Sequence, residues 1–400
     1  MVSFVSYLLV ALALLLAIPV TLFFLEVIAA FILPARDEVE GPKENIRQRV
    51  AILVPAHNES SGILATLDDI KAQLLTGDRL IVIADNCIDD TAAVAAAAGA
   101  EVVERNDSTR IGKGYALDYG LEHLSRDPPT IVIIFDADCR VEEDAIDHLI
   151  RACTATRRPA QALYLMSAPK ESPINYRVAE FAWAVKNWVR PLGLNALNLP
   201  CQLMGTGMAF PWQVIRSADL ASGSIVEDLK LGLDLAKSGN PPLFCPSARV
   251  TSQFPWSVEG ARSQRKRWEE GHINMILTTF SQSIYQAITR RNLGLFVLAL
   301  DMVIPPLSLL VILLVGMSSV AGVAVLLGLS SAALVVNAAS IVVLILAIFV
   351  AWSNYGSSIL PPSAIISVAS YVFAKLPIYR RLLSSGDDPK WTRTDRKKGQ

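Results

Sequence analysis

Charge is scarce in this chain: 18% of its 400 residues are charged and 52% are hydrophobic, where an average soluble domain carries about 25% charged residues. Part of the chain is therefore expected to sit in lipid. A basic stripe is also missing. The net charge is −1 and, before the C-terminal tail, only the short run from Arg262 to Arg267 stands out as basic, which argues against a nucleic-acid binder. The five cysteines, Cys87, Cys139, Cys153, Cys201 and Cys245, form no C-x-x-C pair, so neither a zinc knuckle nor a disulfide framework is indicated and a reducing compartment fits. Glycine is absent where a dinucleotide-binding fold needs it: Ala56-His57-Asn58-Glu59-Ser60 offers no backbone turn for a pyrophosphate. Gly112-Lys113-Gly114 lacks the spacing of a Walker loop, although Lys113 can reach a phosphate as a point charge.

What is present divides the chain into regions. From Ser3 to Leu33 the only charge is Glu26. The run is longer than a secretory h-region and has neither a basic start nor an A-x-A-like site, so it reads as a retained anchor. Glu26 is expected near the membrane boundary, where water or a partner from the soluble part lowers its cost. Arg36, Lys43, Arg47 and Arg49 follow the anchor, and Arg380, Arg381, Lys390, Arg393, Arg396, Lys397 and Lys398 fill the C-terminal tail. The positive-inside rule places both groups in the cytoplasm and the amino terminus outside. The predicted organisation is an anchor over residues 1–33, a cytoplasmic domain over 34–292, membrane or interfacial helices over 293–378 and a basic tail over 379–400. Parity then requires an even number of C-terminal crossings, two or four. Leu293 to Gly316 reads as one, Val320 to Trp352 as one or two broken near Gly328 to Ser331, and Ile359 to Leu376 as spanning or interfacial. Pro305, Pro306, Pro361 and Pro362 are expected to kink or start helices there.

The middle region alternates strand and helix. Val50 to Pro55 is a continuous apolar run that breaks into the polar loop, with a helical pattern after it to Leu75. Leu80 to Asp85 precedes an Ala-rich helix from Thr91; then come Glu101 to Glu104, a helix from Gly114 to Ser125, Thr130 to Asp136 and a helix from Glu142. This predicts an α/β domain with a mainly parallel sheet. Ligands of such sheets bind beyond the carboxyl ends of the strands, and the residues there are acidic: Asp85 after the second strand, and Asp136 and Asp138 after the fourth. Two carboxylates one residue apart can face a hard divalent cation bridged to a diphosphate. Further on, Glu227-Asp228 opens a helix, where the plainer reading is complementation of the helix dipole. Gln264-Arg265-Lys266-Arg267-Trp268 offers cations for a departing diphosphate and an aromatic plane for a sugar.

In this order, an Asp after the second strand, a D-x-D, an acidic pair and Q-x-x-R-W, the motifs over roughly Val50 to Asn274 resemble the family 2 glycosyltransferases. The likeness is to their membrane-integrated branch, with the cellulose, hyaluronan and chitin synthases. The resemblance implies a GT-A-like nucleotide-sugar-binding domain flanked by transmembrane helices in the inner or plasma membrane. It further implies that Pro55, Glu59, Asp85, Lys113, Asp136, Arg265 and Arg267 bind the nucleotide-sugar, and that Asp138 holds Mg²⁺ or Mn²⁺. Asp228 would be the general base, and Gly205, Thr206, Gly207, Gln264 and Trp268 would meet the acceptor. Val226 stands where the family has Thr before the acidic pair, which removes one local hydrogen bond.

The activity so implied is inverting transfer from a UDP-sugar to a polysaccharide or oligosaccharide, with a glycan or lipid-linked acceptor, membrane lipid and polysaccharide-export proteins as partners. The membrane block is smaller than in the long-chain synthases, which speaks against a polymer channel. Two other readings stay open: transfer to a polyprenyl-phosphate carrier, against which Gln264 to Trp268 speaks, and a non-catalytic transporter or scaffold.

Overall fold

The computed structural model describes residues 2–34, 47–221, 226–377 and 379. Arg36, Lys43 and the tail basic residues named above lie outside the described residues.

The sheet has eight strands: β1 (Val50–Ala56), β2 (Arg79–Asp85), β3 (Glu101–Arg105), β4 (Ile131–Ile134), β5 (Arg140–Val141), β6 (Ala160–Ser167), β7 (Met208–Pro211) and β8 (Leu243–Gln253). Their order is β3-β2-β1-β4-β7-β6-β8-β5. β1 pairs in parallel with β2 and β4, β2 with β3, and β6 with β8. β7 is antiparallel to β4 and β6, and β5 to β8. The sheet is thus mixed and mostly parallel. Val50 through Val54 have no exposed surface, as expected of a strand covered on both faces, and this is why β1 reads as an unbroken apolar run rather than an alternating one. From β1 the chain builds outward to β2 and β3, then returns to place β4 on the other side. The carboxyl ends of β1 and β4 therefore border the switch-point crevice in which open α/β sheets bind ligands.

The helices are α1 (Val2–Ile32), α2 (Ile63–Lys71), α3 (Thr91–Ala97), α4 (Lys113–Leu124), α5 (Ala145–Thr156), α6 (Ile174–Ala184), α7 (Arg190–Ala196), α8 (Trp212–Ile215), α9 (Glu227–Lys237), α10 (Val258–Thr289), α11 (Leu293–Met302), α12 (Leu307–Leu326), α13 (Ala332–Ala351) and α14 (Ile365–Phe373). A π-helical turn, Val185–Val189, joins α6 to α7. α10 starts at Ser257, whose hydroxyl accepts from the Gly260 N–H at 3.0 Å, and its 32 residues reach about 48 Å at 1.5 Å per residue. It carries the chain from the sheet to the apolar helices.

Among the described residues three helical stretches are long and apolar enough to cross a membrane: Phe4–Ile32, Leu307–Leu326 and Ala332–Gly356. The expected crossing from Leu293 to Gly316 is not one helix. α11 stops at Met302, and α12 begins only after Pro305 and Pro306, since proline has no N–H to continue a helix and fits its start. α12 runs on to Leu326 and ends at Gly328, which takes φ +78°. The break between α12 and α13 therefore falls where the sequence placed it. Asn337 on α13 donates to the Leu314 carbonyl at 2.9 Å and to the Ser318 hydroxyl at 2.7 Å on α12, the kind of polar link that joins helices in lipid. Pro362–Phe373 is a shorter apolar helical stretch.

α1 packs between this bundle and the sheet domain. Leu9 and Ala13 share a buried cluster with Met317, Ala321 and Ala333, and the Ala30 carbonyl accepts from Tyr355 Oη at 2.8 Å. Against α7 the approach is closer still: a Cβ on Gly193 would lie 1.9 Å from the Glu26 carbonyl oxygen, so only glycine permits this contact.

Candidate active site

A cavity of about 330 Å³ opens at the β1/β4 crevice. Its near wall is the loop after β1, with Pro55, His57 and Glu59, and the turn after β4, with Asp136, Ala137 and Asp138. The Asp136 N–H donates to the Thr206 hydroxyl at 2.9 Å, which fixes the turn from beneath. Lys113, the first residue of α4, bonds to the Asp136 carboxylate and donates to the Gly205 carbonyl at 2.7 Å. Burial alone would lower the Lys113 ammonium, but the surrounding Asp136, Glu227 and Asp228 outweigh it and hold the group above its ordinary range.

Glu227 and Asp228 form the first turn of α9 and line the same cavity. Asp228 Oδ1 accepts from the Leu229 N–H at 2.8 Å. Gly205, at φ +92°, brings its backbone so close that a Cβ there would sit 3.5 Å from Asp228 Oδ2. Both carboxyls titrate above their usual range. For Glu227 the cause is burial and then the adjacent Asp228 charge, which push it to about 7. For Asp228 it is burial, opposed by Lys186 and Lys113.

The far wall comes from α10. Gln264, Arg267 and Trp268 line the cavity, at positions i, i+3 and i+4 that share one helix face. Gln264 is buried and its Oε1 has no hydrogen-bond partner, an acceptor left open toward whatever binds here. Arg265, expected among the nucleotide-sugar contacts, does not line this cavity. One residue along the helix turns it off that face, and its guanidinium lies over the Tyr176 and Tyr371 rings at 5.9 and 5.7 Å. Two of the expected acceptor residues also stand outside the cavity lining. Thr206 is fully buried behind Asp136, and a Cβ on Gly207 would strike Ala162 and Val250 at 2.7 and 2.9 Å. Asp85 is held to one side at the end of β2, paired with Arg105 of β3 at 2.6 Å.

Sequence reasoning missed the floor. Trp183, Lys186, Asn187 and Arg190 line it from α6, the π-turn and α7. Trp183 and Asn187 donate to the Tyr164 carbonyl at 3.1 and 3.3 Å. The signal was there: polar and aromatic residues at i, i+3, i+4 and i+7 in an otherwise apolar helical stretch. Arg190 is held by Glu26 Oε2 at 2.6 Å and by the Asp301 carbonyl at 3.0 Å and carboxylate. His272 bonds through Nε2 to the Met302 carbonyl at 2.9 Å, and burial, then Lys186, push it down to about 4.

Comparison with known proteins bears on the fold and the family. The family model described as "Glycosyltransferase like family 2" matches residues 47–271. The solved mannosyltransferase PcManGT from Pyrobaculum calidifontis, in complex with GDP-Man and Mn²⁺, superposes with a TM-score of 0.53 at 17% identity, covering 94% of this chain and 95% of that one. This shows a shared GT-A-like fold. The probable glycosyltransferase YdaM of Bacillus subtilis (strain 168) is 24% identical over 257 residues, 60% of this chain and 59% of its own length. The poly-beta-1,6-N-acetyl-D-glucosamine synthase of Staphylococcus aureus (strain COL) is 24% identical over 294 residues, 70% of this chain and 65% of its own. The chain thus spans between 59% and 65% of the length of these curated relatives. Fold and family together define a glycosyltransferase. Within that class the chain belongs to the glycosyltransferase-like family 2.

Proposed function

We propose that the protein transfers a sugar from a UDP-sugar to a hydroxyl of a saccharide acceptor at the membrane, by a single inverting displacement on the cytoplasmic side. The observation that carries the reading is the convergence of Lys113, Asp136, Asp138, Asp228, Gln264, Arg267 and Trp268 on one cavity. A nucleotide-sugar needs cations for its diphosphate; the acceptor needs one base and one aromatic surface.

The donor set suits Mg²⁺ or Mn²⁺. Among the described residues no three His, Cys, Asp or Glu side chains form a metal cage, whereas Asp136 and Asp138 face the cavity together. A hard cation bound through one or two carboxylates and completed by substrate phosphates fits that arrangement. Asp138, with Asp136 beside it, would hold the ion, which neutralises charge on the departing diphosphate. Asp228 takes the acceptor's hydroxyl proton. The acceptor oxygen forms its bond to the anomeric carbon, and the bond from that carbon to the β-phosphate oxygen breaks, its electron pair leaving with UDP. Lys113 and Arg267 receive the growing negative charge. Trp268 offers its ring to the acceptor sugar and Gln264 its open carbonyl oxygen.

A panel of labelled UDP-sugars, incubated with purified protein with and without EDTA, tests this. Transfer that stops with chelation and returns with added Mn²⁺ is expected; turnover indifferent to EDTA removes the metal from the account.

A further inference from the structure

A second cavity of about 900 Å³ lies against the first. It is enclosed by α6, α10, α12, α13 and α14, and its wall is mainly aliphatic: Val178, Ile304, Leu307, Val311 and Ile348 are typical. Several lining residues, among them Val315, Ile345 and Phe349, are more than half exposed on the outside of the bundle. The chamber therefore opens sideways at the level of the two membrane-length helices. The two cavities share Trp183, Lys186, Arg190, Trp268 and His272, and the Trp183 and Trp268 rings stand 4.9 Å apart in the partition.

The charges at this junction are unevenly satisfied. Arg190 is held by two carboxylates, and His272 is a neutral donor to a carbonyl. Toward the outer part of the chamber, Lys375 is paired with Glu269 and Arg265 with Tyr371. Among the described residues Lys186 alone of these cations has no hydrogen-bond or ion-pair partner in contact; it lies over the Trp183 ring at 5.4 Å and feels the more distant charge of Asp228. The Lys186 side chain is exposed and lines both cavities.

From this juxtaposition we infer that the acceptor is a lipid-linked saccharide. Its hydrocarbon tail occupies the chamber, its anionic link lies at Lys186, and its sugar reaches Asp228 past Trp268. The inference rests on the glycosyl-transfer reading and names its acceptor class. Aliphatic walls bury a hydrocarbon chain favourably, whereas a sugar chain threaded through them would leave its hydroxyls without partners. An ammonium where an apolar channel meets a polar site recognises an anion that arrives with a tail, since a tail-less anion would gain nothing from the chamber.

The test uses the full chain in phosphatidylcholine nanodiscs with two photoactivatable lipids that share one diazirine-bearing chain, a phosphatidic acid and a diacylglycerol. The phosphatidic acid is expected to label Val311, Ile345, Ile348 and Phe349 about tenfold more than the diacylglycerol, the scale of one ion pair. Lys186→Met should erase that preference and Lys186→Arg retain it. Equal labelling by the two lipids in the wild-type protein, or labelling confined to the outward residues Val320, Val323 and Val342, would overturn the inference. Mn²⁺-dependent UDP binding in the same discs reports on the underlying reading separately: its loss would sink glycosyl transfer and leave the lipid site standing.

Discussion

Glu227 and Asp228 are neighbours in one buried helical turn, and two adjacent carboxyls cannot both ionise easily. The raised range of the pair sets the pH behaviour. A base acts only when deprotonated, so transfer should rise as pH climbs through the pair's titration and fall as pH drops below it. Glu227→Gln removes the like charge, so the acid limb of the kcat profile should move to lower pH. An unmoved limb would mean that the pair does not govern it. Asp228→Asn should reduce transfer by about 10²- to 10⁴-fold, the usual worth of a positioned base, while leaving UDP binding measurable by calorimetry. Full activity would remove Asp228 from that role. Lys113 shows why such a site is hard to read from one residue: its partner Asp136 is 23 positions away in sequence and meets it only because α4 begins beside the end of β4.

At the scale of elements, β1 to β4 and the start of α9 were legible because local patterns determine them, whereas β5 to β8 and the helical state of α10 were not read from the sequence. Val50 to Val54 and Leu80 to Ala84 are apolar throughout because both faces are covered. Gln264, Arg267 and Trp268 share a face by helical spacing alone, and the same spacing removes Arg265 from it. The floor was legible only as one helical face in the spacing of Trp183, Lys186, Asn187 and Arg190; that this face borders the site follows from α1, α10 and α11, which lie far off in sequence. Leu293 to Gly316 was read as one crossing by its hydropathy, although Pro305 and Pro306 were expected to kink or start a helix there; they divide the run into α11 and α12. The Glu26, Arg190 and Asp301 contact ties α1 to α7 and α11. Arg190→Met would leave two buried carboxylates unpaired and should cost about 3–5 kcal/mol, read as a lowered thermal midpoint in detergent. Gly193→Leu should loosen the same junction, because the space its side chain needs is filled by the α1 backbone.

Among the described residues the molecule joins a GT-A-like sheet to three membrane-length helices, with the sheet's ligand crevice turned toward the helices that α10 reaches. If the sheet domain is cytoplasmic, α12 and α13 form an outward and return pair. A Ser330→Cys probe should then react with an impermeant maleimide from outside and Ser357→Cys only from the cytoplasmic side, in a Cys87→Ser background. Reaction of both from the same side would contradict that topology. The central claim, one displacement driven by Asp228 in this cavity, is tested most directly by the anomeric configuration of the product, followed by proton NMR as it forms from an α-linked UDP-sugar. The account predicts a β-linked product; an α-linked product would contradict it.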